Sequence, residues 1–516
     1  MSQPECSTKR EPSVGMSLAV FLIAMGIMLF GLVISELDIH IVMLVALTFA
    51  CIVSAPLGYS FDDLLDCMKK TLGQSMSAMV IFIFIGLIIA AWIFSGTVPA
   101  LIYYGLHYIT PKMFLPVGLL LCSLTSMSIG TSWGTVGTMG LAMMGIGAGM
   151  GIPAGLTAGM VLCGASFGDK MSPISDTTNL APAAAGTTLQ RHISSMWMTT
   201  LPAYIIVFVI FTIVGFFYQD GQIDYSTINT FIDTIGTTFH ISPILLLPVV
   251  VLLVLNIWQF PAIPGMAIGT LLAVILAVVV QGVSVRDVIS GLNYGYTAST
   301  GVEMVDTLLQ RGGIQSMMYT FSLACIAISF GGVMERVGYL HKVVGLVVSK
   351  VKSDKMMVPL VIGSATVGTM VMGEVYLTLV LNGNLFRETF KERGLRPEML
   401  SRLLEEGGTL TQVFVPWSTT SMFIMATLGV STAEYWKFAL LHYVNPLLSI
   451  LLCFVGYGVL YVNKPCRWDP GLKSPGSTRD ACRRRSPAQD PAGPGTVPCP
   501  PAGSLSGARS WRRGHR

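Results

Sequence analysis

Two carboxylates and one ammonium group stand in a single short run of this chain, Gly168-Asp169-Lys170-Met171-Ser172-Pro173-Ile174-Ser175-Asp176-Thr177-Thr178-Asn179-Leu180-Ala181-Pro182. Apolar segments flank it on both sides. A charge at membrane depth is costly, so it is paired or lines a pathway. A carboxylate in such a place holds a proton or a dehydrated cation but not easily both, and that exclusion is the simplest physical basis for exchange. Asp169 has Lys170 beside it, whereas Asp176 has no cation within the motif. The Ser-Pro-Ile-Ser run before Asp176 keeps the backbone out of regular helix, because proline removes a donor and disfavours helix before it. Asp176 is therefore the expected coupling carboxylate, with Na+ held at Asp176 and Asn179 and with Asp169 and Thr177 nearby. Lys170 is the candidate for an anionic substrate. The plainer alternative is a solvated loop with an incidental Asp169–Lys170 pair.

Other hard oxygen donors lie in the Ser/Thr/Gly stretch 125–135, which interrupts two apolar runs and contains Thr131, Ser132 and Thr135. Ordinary close helix packing is the alternative there, since Gly145 and Gly149 show GxxxG spacing. Thr135-Val136-Gly137-Thr138-Met139 recurs letter for letter as Thr366-Val367-Gly368-Thr369-Met370. Gln74-Ser75-Met76 likewise recurs as Gln315-Ser316-Met317, and a Thr-rich loop ending at Pro182 answers one ending at Pro416. These landmarks predict two homologous halves, with Thr135 and Thr138 meeting Thr366 and Thr369 at one central site. In the second half Glu374, Glu406 and Thr409 are further candidates, unless the Glu405-Glu406 pair sits at the rim beside Arg402. Gly164-Ala165-Ser166-Phe167-Gly168 matches GxSxG, but that elbow needs a strand and a soluble sheet. An intramembrane hydrolase with Ser166 and His192 as a dyad is thus the remote alternative, and the chain is read as a transporter rather than an enzyme. Ten scattered cysteines without CxxC spacing and seven scattered histidines suggest no metal chemistry. No cofactor is expected beyond transported Na+ and H+.

The elements that must position these residues follow from composition. Of 516 residues 53% are apolar and 11% charged, and the mean hydropathy is +0.69. This excludes a cytosolic enzyme, a nucleic-acid binder and a disulfide scaffold. The net charge of +4 is misleading, because residues 464–516 carry eleven Lys/Arg against three Asp/Glu. Spans of about 20 apolar residues are expected at 16–35, 38–56, 76–95, 113–129, 196–218, 243–258, 260–281, 316–334, 356–373 and 434–462. Shorter Gly-rich pieces lie at 139–151, 154–166, 375–386 and 418–430. The expected fold is an all-α polytopic membrane protein of about 10–12 transmembrane helices, in two homologous repeats expected to be inverted, with broken or re-entrant helices at the centre. The basic segment 387–402 and the acidic loop 219–242 place both termini in the cytoplasm. Five parts result: a cytoplasmic N-terminus 1–15, a first repeat 16–218, an external loop 219–242, a second repeat 243–462, and a disordered basic tail 463–516.

Thr131-Ser132-Trp133-Gly134-Thr135, the block Gly168 to Pro182, and Ser401-Arg402 with Glu405 to Thr409 and Pro416-Trp417 resemble the NhaC-type sodium/proton antiporter family, of the ion-transporter superfamily. The resemblance covers about 16–462. It implies a secondary antiporter exchanging Na+ for H+ by alternating access in the cell's cytoplasmic membrane, with Na+/H+-coupled malate/lactate exchange as the alternative. Small inorganic ions, malate or lactate, the lipid bilayer and a second copy of the chain in a homodimer are the expected partners; nucleic acid is not.

Overall fold

A computed structural model of the chain describes residues 9–35, 37–217, 225–258, 260–351 and 353–462. The expected disordered tail and most of the N-terminal segment lie outside the described residues. Among those residues every named element is helical, apart from an isolated antiparallel bridge between Leu395 and Tyr461. The apolar runs become helices such as Val14–Leu29, Ile39–Ser54, Met76–Phe94, Thr200–Phe217, Ala262–Val279 and Ile314–Val337.

Among the described residues six helices are long and apolar enough to cross a membrane, and eight spans result if each of two bent pairs counts as one. Three shorter apolar helices stand beside them, including Thr419–Leu428 and Leu440–Val455. Side chains such as Leu22, Phe30, Ile52, Phe217, Val279 and Leu451 lie exposed on these helices, while Lys170, Glu374, Arg402, Glu405 and Glu406 are buried. This inside-out distribution of polarity is what a hydrocarbon surrounding demands. The chain is a multi-pass membrane protein. The region 219–242, read as a connecting loop, contains the helix Tyr225–Thr238.

Four breaks interrupt the helices at the centre. Pro111–Ile129 ends at Gly130 with φ of 77°, and the chain turns helical again at Ser132. Ala154–Met171 ends at Ser172, and Asp176–Ala185 starts after Ser175, whose hydroxyl accepts from the Thr178 N–H. Met357–Met372 ends at Gly373 with φ of 63°, and Val375–Glu392 begins after Glu374. The helical turn Thr411–Phe414 gives way at Val415, and Thr419–Leu428 starts after Ser418, whose hydroxyl accepts from the Ser421 N–H. The local causes are ordinary: glycine takes the left-handed conformation without a steric penalty, proline cannot continue a helix, and serine caps the next one.

The breaks repeat at a fixed interval. Gly373 stands 243 positions after Gly130, as Pro416 does after Pro173 and Ser418 after Ser175. A Cβ on Gly130 would lie 2.9 Å from the Ile174 side chain, and one on Gly373 would lie 3.3 Å from the Trp417 carbonyl oxygen. Trp417 is again 243 positions after Ile174, so the contact between breaks is repeated along with the breaks. The identical Thr-Val-Gly-Thr-Met pentapeptides do not follow this interval. The first follows its break at Gly130 and the second precedes its break at Gly373.

Candidate functional site

The four breaks enclose a cavity of about 310 Å³. Thr131, Ser132 and Trp133 reach it from the first break, Asp169, Ser175, Asp176 and Thr177 from the second, Tyr376 from the third, and Thr409, Gln412 and Thr420 from the fourth. Gln74 and Ser75, at the bend before Met76–Phe94, complete the wall. Trp133 ties opposite sides together. Its ring stacks on Phe82 at 5.2 Å and on Phe423 at 5.0 Å, and its indole N–H donates to the Thr420 hydroxyl at 3.1 Å.

Asp169 is buried at the end of its helix and shares the cavity wall with the hydroxyls of Ser132 and Ser175. Asp176 opens the next helix and lines the cavity with its side chain accessible. A carboxylate in the first turn of a helix is favoured by the unpaired N–H groups there. The site thus offers two carboxylates and several hydroxyls, the donor chemistry of a hard cation.

Lys170 is not the partner of Asp169. Its ammonium meets Glu405 Oε2 at 2.5 Å, with both side chains buried, and the Thr409 hydroxyl donates to the same oxygen at 2.6 Å. Successive residues on a helix point in different directions, so Asp169 faces the cavity while Lys170 faces the Glu405 segment. Of the two adjacent glutamates the turn separates the partners as well. Glu406 accepts from the Thr199 hydroxyl at 2.6 Å and lies 3.7 Å from Arg402 Nε. Glu406 is therefore outside the cavity wall, Thr409 lines it with its hydroxyl held by Glu405, and Lys170 has no free ammonium to offer an anion there.

Several other expected residues take structural positions. Asn179 does not line the cavity; its amide nitrogen donates to the Pro173 and Ser175 carbonyls at 2.9 and 2.8 Å and closes the turn. Of the expected Na+ pair, Asp176 lines the cavity and Asn179 does not. Thr135 and Thr138 donate to the Thr131 and Gly134 carbonyls, and Thr366 and Thr369 to the Ile362 and Ala365 carbonyls of their own helix. None of the four lines the cavity, so the two pentapeptides do not build one site. Glu374 is buried and caps Val375–Glu392 by accepting from the Tyr376 N–H. Ser166 and His192 do not form a dyad: Ser166 meets His442 at 2.8 Å, and His192 meets Ser401 at 2.8 Å.

The residues missed in the sequence are Gln412 and the aromatic walls, together with the pairing of Glu405 to Lys170. The interval of 243 would have found most of them, since it carries Asp169 to Gln412, Trp133 to Tyr376 and Thr177 to Thr420. Which of the two glutamates meets Lys170 had no such signal, because only packing separates Glu405 from Glu406.

Broken helices meeting at a polar cavity inside a multi-pass helical protein are the architecture of a secondary carrier. A profile described as the Na+/H+ antiporter family matches residues 164–457. The Na(+)/H(+) antiporter NhaC of Alkalihalophilus pseudofirmus is 34% identical over 452 residues, covering 87% of this chain and 97% of that protein. The malate-2H(+)/Na(+)-lactate antiporter of Bacillus subtilis is 35% identical over 88% of this chain and 97% of its own length. The arginine/ornithine antiporter ArcD of Halobacterium salinarum is 30% identical over 90% of this chain and 96% of its own. This chain belongs to the Na+/H+ antiporter family, of the NhaC type.

Proposed function

We propose that the chain exchanges Na+ for H+ across the cytoplasmic membrane by alternating access, with both termini in the cytoplasm and the repeats 16–218 and 243–462 as its two halves. The carrying observation is the cavity at the junction of four helix breaks, walled by Asp169 and Asp176 together with Thr131, Ser132, Ser175 and Thr177. Sodium takes the oxygens of this wall when the carboxylates are free of protons. A proton arriving on either carboxylate removes the charge that holds the cation, so the two ions leave in turn.

The second reading is malate/lactate exchange coupled to the same ions. A cavity of about 310 Å³ is roomier than one dehydrated cation needs, roughly ten times the ~30 Å³ share of a water molecule. Helices begin at Ser132, Asp176, Val375 and Thr419 beside this region, and helix N-termini are a usual means of holding a carboxylate. Lys170 supports this reading less than the sequence suggested, since it is engaged by Glu405.

The deciding experiment uses purified protein in proteoliposomes holding a pH gradient and a pH-sensitive dye. Sodium, potassium, malate and lactate are added one at a time. Dissipation by sodium alone is expected. A response that requires malate or lactate overturns the first reading in favour of the second.

A further inference from the structure

Glu374 is a buried carboxylate that the cavity wall does not use. Glu405 and Glu406 each lie near a cation, 2.5 Å from Lys170 and 3.7 Å from Arg402, whereas Glu374 makes no ion pair among the described residues. One of its oxygens caps the next helix by accepting from the Tyr376 N–H, and the other, Oε2, is buried without a hydrogen-bond partner. Two further oxygens are in the same condition, Gln412 Oε1 and the Thr419 hydroxyl. Gln412 is 4% exposed, and Thr419 and Glu374 are each 1% exposed. These three residues occupy matching places in the repeat. The interval of 243 carries Thr131 to Glu374, Asp169 to Gln412 and Asp176 to Thr419. In the first half the three counterparts converge on one cavity wall. In the second half hydrogen bonds draw the same positions together. The Thr419 N–H donates to the Gly373 carbonyl at 2.9 Å, which sets Thr419 against the residue before Glu374. Ser418, the neighbour of Thr419, donates its hydroxyl to the Gln412 carbonyl at 2.7 Å.

We propose that Glu374, Gln412 and Thr419 form a second cation site, the repeat's counterpart of the Asp169–Asp176 wall, and that it takes one Na+. A carboxylate, an amide carbonyl and a hydroxyl are hard oxygen donors, the chemistry that holds such a cation at broken helices. One negative charge matches a monovalent ion, whereas a divalent ion would leave a net charge buried at membrane depth, which is costly. A proton on Glu374 would also neutralise it, but a single O–H reaches only one of the two neutral oxygens. A central cation serves all three at once. The site adjoins the cavity, because Gln412 belongs to the wall, as do Val375 and Tyr376 after Glu374 and Thr420 after Thr419. Each half of the chain then holds one ion at its own pair of helix breaks.

This second site goes beyond the sodium reading of Asp169 and Asp176, and the two are tested apart. Purified full-length protein in detergent is titrated with radiolabelled Na+ at alkaline pH, and the ions bound per chain are counted, with a thermal melt confirming that each variant is folded. The unaltered chain should bind about two ions, one per half. Glu374→Gln keeps an oxygen for the Tyr376 N–H but removes the charge, and should bind about one. Thr419→Val keeps the N–H bonded to Gly373 and removes only the hydroxyl, so the second ion should bind about tenfold more weakly. Asp169→Asn combined with Asp176→Asn should leave one ion, which disappears when Glu374→Gln is added. A single ion on the unaltered chain overturns the proposal, and so does a count of two that survives Glu374→Gln. Should Glu374→Gln fail to fold, an unchanged second affinity in Thr419→Val overturns it instead. A count of two that survives the paired Asp169 and Asp176 substitutions overturns the sodium reading of the wall, and Glu374→Gln still decides the second site.

Discussion

The second and fourth breaks have the same backbone plan and different chemistry. Both place a proline two residues before a capping serine, and both start a helix immediately after it. Around the second stand Asp169 and Asp176; at the matching positions around the fourth stand Gln412 and Thr419. The fourth break is neutral and built from mutual hydrogen bonds, with Ser418 and Ser421 both donating to the Gln412 carbonyl. Repetition supplies the scaffold of interrupted helices, and divergence of a few side chains confines the carboxylates of the cavity wall to one side of it. The charge of the second half lies behind the wall instead, in Glu405 and Glu406.

The largest effect should come from removing that asymmetry. Asp176→Asn preserves shape and abolishes the exchangeable charge, so sodium-driven proton movement in proteoliposomes should disappear while the protein still inserts and purifies normally. Near wild-type exchange in folded Asp176→Asn would move the coupling role to Asp169. Next comes the ion pair of Lys170 and Glu405. Lys170→Met alone leaves Glu405 buried and uncompensated, a loss of about 3–5 kcal/mol, read as a lower thermal transition in detergent. Lys170→Met combined with Glu405→Leu should recover most of that stability without recovering exchange. A double variant that stays as unstable as the single one would show that the pair matters for more than mutual neutralisation.

A smaller effect is expected at the glycines of the first and third breaks. Gly130→Ala and Gly373→Ala each force a left-handed residue, at about 1–2 kcal/mol. Gly130→Ala should be the worse, because its Cβ would approach Ile174 to 2.9 Å whereas that of Gly373 finds 3.2 Å to Ala327. Equal loss of thermal stability at the two would argue that the breaks are not packed differently. The smallest effect is reserved for the pentapeptides. Thr135→Val and Thr366→Val remove hydroxyls bonded to helix carbonyls, costing about 1 kcal/mol or less, and sodium transport should stay within about twofold of wild type. A severe transport defect in either would restore the pentapeptides to the ion path.

The pentapeptides also show what a sequence repeat conveys. Five identical letters suggested a shared site, yet they sit on opposite sides of their breaks, and their hydroxyls serve helix carbonyls. The glycine, proline and serine positions that actually repeat are spaced by 243 residues and share few neighbouring letters, because what is repeated is backbone conformation. Asn179 makes the same point on a smaller scale. Its side chain has the right chemistry for a cation, but its amide nitrogen closes the proline turn that precedes it and the residue does not line the cavity.

What the sequence determined by itself are properties that depend on composition and short-range geometry. Hydropathy made the chain a bundle of membrane helices, Gly130, Pro173, Gly373 and Pro416 interrupted them, and the Gly168–Pro182 block carried the family and the carboxylates Asp169 and Asp176. Only the tertiary structure decided which charges face the cavity and which face one another. Lys170 and Glu405 meet across 235 positions of chain, while the adjacent Asp169 and Glu406 turn elsewhere. Neighbours on a helix diverge by their angle around its axis, and which surface each then meets is fixed by the packing of distant helices, a property no local run of residues encodes.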